Sequence, residues 1–88
     1  MVGGKVINVV KLLDCAWIQC LDTTYSKNDT CAIRVKDAKE MKVGDRLWWQ
    51  GNRAMWTPKP DDGREDIVLE RVGYSHSNIP QDVMEAIG

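Results

Sequence analysis

Eighty-eight residues, 43% hydrophobic and 28% charged, describe one domain with one core and no room for a second. A formal net charge of −1 excludes a general polyanion binder, but it conceals an asymmetry. Residues 32–58 carry six Lys/Arg against three Asp/Glu, and residues 59–88 carry three against seven, so a local basic patch fits the chain.

No run is long enough to span a bilayer and no leader-like segment opens the chain; three cysteines, Cys15, Cys20 and Cys31, cannot all pair with one another. The expectation is a cytoplasmic protein with reduced thiols. Phe is absent, and Trp17, Trp48, Trp49 and Trp56, with Tyr25 and Tyr74, supply the large aromatic surface.

In chain order, residues 1–4, with Gly3-Gly4, read as a flexible end. The β-branched run through Val6, Val9 and Val10 to Leu12 and Leu13 predicts a first strand from about Lys5 to Leu13. Asp14 marks a bend. Cys15 to Leu21 forms a second strand that is apolar on both parities, Cys15, Trp17 and Leu21 against Ala16, Ile18 and Cys20; a strand of that kind is covered on both sides or bent where its faces exchange. Residues 22–30 are turn formers and read as an exposed loop carrying Tyr25. Cys31 to Lys36 alternates, with Cys31, Ile33 and Val35 inward and Arg34 and Lys36 outward. Asp37 to Met41 is too short for a stable helix and reads as a turn.

The segment from Lys42 to Gly51 contains adjacent tryptophans. Successive strand side chains point to opposite faces, so Trp48 and Trp49 cannot share one. Parity with Val43 and Leu47 makes Trp49 the inward indole and Trp48 the outward one. Gln50-Gly51-Asn52-Arg53 is a hairpin turn, Ala54 to Thr57 is the returning strand, and Pro58 and Pro60 end it. After a turn at Asp61-Asp62-Gly63-Arg64, Ile67 to Val72 is the last strand. A terminal helix is expected over 78–87, with Asn78 as its cap, Pro80 in its first turn and Gln81 completing a capping box. Its apolar stripe of Ile79, Val83, Ala86 and Ile87 suits a lid over an open barrel mouth.

These elements predict a mainly β fold: a small bent barrel, SH3-like or OB-like, of five to six strands with one short C-terminal helix. The expected core is Val6, Val9, Leu12, Trp17, Ile33, Val35, Leu47, Trp49, Ile67, Leu69, Val83 and Ile87. Met41-Lys42-Val43-Gly44-Asp45 resembles the "hydrophobic-x-x-Gly-Asp" lead-in to a strand of SH3-like, OB-like and PUA-like barrels. In size and composition the chain also resembles small accessory proteins of bacteriophages and prophages, which implies a compact single domain.

Catalytic motifs do not emerge. His76, the single histidine, lies at a bend with no partner fixed for it, and reads as exposed or helix-capping rather than as a base. A zinc site would need all three cysteines plus His76, without the short spacing that presents two thiolates to one ion. The run Asp61-Asp62-Gly63-Arg64-Glu65-Asp66 lacks the ligand order of a calcium loop. The expectation is therefore a non-enzymatic binding module without metal or cofactor, with Trp48, Arg46, Arg34, Arg53 and Tyr25 as its contact surface. Trp and Arg are the side chains most enriched at interface hot spots, which favours a protein partner or a second copy of the chain. The same residues would also suit a small barrel that stacks single-stranded nucleic acid, and a small enzyme is the third reading.

Overall fold

The computed structural model describes residues 2–22, 29–57, 67–70, 72 and 78–87. Six antiparallel strands form one sheet: β1 (Val2–Lys11), β2 (Ala16–Asp22), β3 (Asp29–Val35), β4 (Arg46–Gln50), β5 (Arg53–Thr57) and β6 (Ile67–Glu70). One short helix, α1 (Gln81–Ile87), follows. The strand order is β3-β2-β1-β4-β5-β6, so two three-stranded meanders share the β1–β4 seam. β3 and β6 stand at the two ends and no ladder joins them among the described residues, so the sheet is open in its strand order. Two backbone hydrogen bonds do cross between these ends, from Lys36 N–H to Glu70 O (3.0 Å) and from Val72 N–H to Arg34 O (2.8 Å). A salt bridge of 3.9 Å from Lys36 to Glu70 accompanies them.

β1 starts at Val2, three residues before the expected Lys5, so Gly3 and Gly4 are strand residues paired on β4 with Trp48 and Leu47. At Gly3 the backbone has φ 138°, and an added Cβ would collide with the carbonyl of Leu47. Glycine here permits a close strand approach. Further along, the β1–β2 register slips between Val6 and Asn8. That bulge exchanges the faces of β1: Val6 and Val9 both reach the main core, whereas Val10 and Leu12 belong to a second cluster.

The main core lies on the inner face of the sheet. Val6, Ile18, Cys20, Ile33, Val35, Leu47, Trp49, Ala54, Trp56 and Leu69 are all buried there. Ala16, Ile18, Cys20, Met41, Ala54 and Trp56 join the residues expected, while the side chains of Ile67 and Ile87 lie outside those described. On the opposite face of β1–β2–β3, Val10, Trp17 and Ala32 pack with Ile79, and with half-buried Leu12 and Val83. Both faces of β2 are thus covered, as its two apolar parities require. Ile79 and Val83 lie against an outer sheet face rather than over a barrel mouth.

Asn78 does not cap α1, which begins three residues later. Its side-chain oxygen accepts from Gln19 Nε2 (2.8 Å) and Thr30 Oγ1 (3.1 Å) and ties the start of the helical segment to β2 and β3.

The lead-in to β4 shows why its residue types are needed. Met41 is buried in the main core. Gly44 takes φ 102°, a conformation that costs glycine little. Asp45 is 1% exposed, and its Oδ2 accepts from the backbone N–H of Lys42 (3.1 Å) and from Trp56 Nε1 (2.9 Å). A buried carboxylate needs such donors, and these pin the turn to β5. Val6 donates its N–H to Asp45 O (2.7 Å) and accepts from Gly44 N–H (2.9 Å), so two residues stand opposite one. Asp45 N–H also donates to Lys42 O (3.1 Å), which puts Val43 at the corner of a turn before β4, where it is 62% exposed. Trp49 is inward as expected, alongside Leu47, but Val43 does not share its face.

Candidate functional site

The β4–β5 hairpin organises the outer surface of its half of the sheet. Its two-residue turn has φ 61° at Gly51 and a negative φ at Asn52, the pattern of a type II′ turn that matches strand twist. Gln50 therefore pairs with Arg53, Trp48 with Met55 and Arg46 with Thr57. β1 and β6 extend these pairs, since Gly3 faces Trp48, Lys5 faces Arg46, Met55 faces Val68 and Arg53 faces Glu70.

Three rows result on the outer face. The central row is Gly3, Trp48, Met55 and Val68; Lys5, Arg46 and Thr57 lie on one side, and Gln50, Arg53 and Glu70 on the other. Trp48 and Met55 are half-buried, and Val68 is 56% exposed. Lys5, Arg46 and Arg53 are exposed, and among the described residues none of them forms a salt bridge. Gln50, Arg53, Met55 and Val68 line an open groove at the hairpin end of this face. Chemically it combines an apolar floor with amide and guanidinium donors, a surface for a side chain that is part apolar and part anionic.

Trp48, Arg46 and Arg53 thus share one surface. Arg34 is exposed on β3, in register with Trp17 of β2. Its carbonyl accepts from Val72 N–H (2.8 Å) just beyond β6, so it approaches this surface from the β6 edge and not along the β4–β5 rows. Tyr25 and His76 lie outside the described residues, as does the acidic run 61–66. Lys5, Met55 and Val68 belong to the surface although the sequence reading passed over them.

No described cluster suggests bond chemistry. Among the described residues no three His, Cys, Asp or Glu side chains converge as metal ligands. Cys15 lines a second hollow with Lys11, Asp14, Lys36 and Asp37. Burial pushes its thiol above the ordinary range; the hydrogen bond that the thiol donates to the Asp14 carboxylate and the Asp14 charge add to this, and Arg34 opposes it. Such a thiol stays protonated at neutral pH and is a poor nucleophile. No described helix is long and apolar enough to cross a membrane.

No protein-family model, no curated protein and no solved structure matches this chain. Geometry and chemistry alone carry the functional reading.

Proposed function

We propose that the chain is a non-enzymatic binding module that contacts a protein through the outer face of β4, β5 and β6, with Trp48 as the anchor and Arg46 and Arg53 beside it. The observation that carries this reading is the cross-strand row Trp48–Met55–Val68, an apolar stripe on a sheet face flanked by cations. Aromatic and arginine anchors surrounded by lesser contacts are the usual make-up of a protein interface. Single-stranded nucleic acid calls instead for successive aromatic platforms, and here Met55 and Val68 continue the row. The sheet serves as the frame, and we propose that it curls into a small barrel. The hydrogen bonds from Lys36 to Glu70 and from Val72 to Arg34 support that curvature. The odd cysteine count supports a reducing, cytoplasmic setting.

The test compares wild type with Trp48→Ala in capture of a protein partner at moderate salt, and in titration with a single-stranded oligonucleotide followed by tryptophan emission. The proposal expects capture, a loss of more than about 2 kcal/mol of binding in the variant, and no response to the oligonucleotide. Quenching by the oligonucleotide that collapses steeply with added salt would transfer the function to nucleic acid.

A further inference from the structure

We infer that the apolar, cationic face of β4, β5 and β6 binds the exposed side of α1 on a second copy of this chain. The inference rests on the reading of that face as a contact surface and adds its occupant.

The two surfaces complement each other in charge and in kind. On the sheet, the row Trp48–Met55–Val68 runs between Lys5 and Arg46 on one side and Arg53 on the other. Its acidic member, Glu70, is engaged by Lys36 at 3.9 Å. On the helix, Ile79 and Val83 turn toward the sheet, which leaves Gln81, Asp82, Met84 and Glu85 exposed. Met84, 40% exposed, edges this exposed arc on the side of Gln81, and Asp82 and Glu85 carry the acidic side of it. Gln81 and Glu85 are linked one turn apart by a 3.5 Å hydrogen bond, as i,i+4 neighbours on one face are. The α1 segment contains two acids and no base. An acidic helix side edged by one apolar residue thus meets an apolar row edged by cations, and such charge complementarity sets partner choice.

The geometry also determines the form of the assembly. α1 covers the outer face of β1–β2–β3 and the receiving face belongs to β4–β5–β6, so each copy offers two different patches. A contact between unlike patches is heterologous and propagates into chains or rings. Exposed charges at its rim make it sensitive to salt.

Sedimentation of the full chain against concentration and salt tests this, with two charge reversals, R46E/R53E and D82R/E85R, whose folding is checked by circular dichroism. Wild type should rise above the 10.0 kDa monomer with concentration and return toward it at high salt. Each reversal alone should stay monomeric, because its two patches then carry like charges. An equal mixture should associate again, because the acidic sheet face of one variant meets the basic helix of the other. A wild type that is monomeric at every concentration overturns the inference. So does a reversal that leaves association unchanged, or a mixture of folded variants that fails to restore it. If wild type is monomeric yet captures a different protein in a Trp48-dependent way, the occupant is wrong and the contact surface stands. If Trp48→Ala alters no association of any kind, both fail.

Discussion

Trp17 and Trp48 occupy comparable places and meet different fates. Each points out of the same sheet, Trp17 from β2 in the first meander and Trp48 from β4 in the second. Trp17 is 7% exposed because Ile79 and Val83, with Val10, Leu12 and Ala32, enclose it. Trp48 has Met55 and Val68 for cross-strand company and stays half-buried. The difference lies in the cover that the chain's last residues bring to one meander, not in the strands themselves. An outward tryptophan is therefore core or contact surface according to what packs over it.

The comparison breaks most visibly at the inner face. Trp49, 2% exposed, should lose about 3–5 kcal/mol of stability on truncation to Ala, through the cavity left in the main core. Urea unfolding at equilibrium measures it. Trp17→Ala should cost somewhat less, about 2–4 kcal/mol, since its cluster lies at one side of the sheet and can partly collapse. It should also remove hydrogen-exchange protection from α1 while sparing β4 and β5, which a purely global destabilisation would not do. Asp45→Ala comes next. Its loss orphans the buried indole N–H of Trp56, at about 1–3 kcal/mol, and removes the acceptor of the part-buried Lys42 N–H. Asp45→Asn should recover part of the loss, because an amide oxygen still accepts.

Much of this was legible locally. The strict alternation of Cys31 to Lys36 identified β3 and its inner face, and Gly51-Asn52 located the β4–β5 hairpin. A two-residue turn also dictates that Met55 faces Trp48, so half of the apolar row was within reach of the sequence. Val68 and Lys5 were not, because their places depend on β6 and β1 joining the sheet from far along the chain. The inward position of Trp49 was inferred correctly through Leu47, but the parity of Val43 lent no support, because Val43 lies in the turn before β4 and not on the strand. A bulge shifts parity by one residue without any change in apolar pattern. Val6 and Val9, both expected in the core, reach one cluster although they differ in parity, because the bulge in β1 lies between them. Asn78 misled because a good capping residue is equally good at bridging strands, as its bonds to Gln19 and Thr30 show.

The smallest predicted effect concerns pH. With its thiol pushed upward by burial and by Asp14, Cys15 binds its proton more tightly in the folded chain than in the unfolded one. That contribution to stability is complete below the ordinary thiol range and is lost as pH rises through the folded value. Cys15→Ser should flatten this alkaline decline, read from unfolding midpoints across a pH series. A wild-type chain that gains stability over the same interval would place the thiol in a different environment.

The central claim is that Trp48 is displayed rather than packed, and the stability of Trp48→Ala tests it most directly. Urea unfolding of this variant beside Trp49→Ala should show a change within about 1 kcal/mol of wild type, as for surface substitutions, against the several kcal/mol lost at Trp49. An equal loss at the two positions would contradict the account, and would make both indoles part of the core.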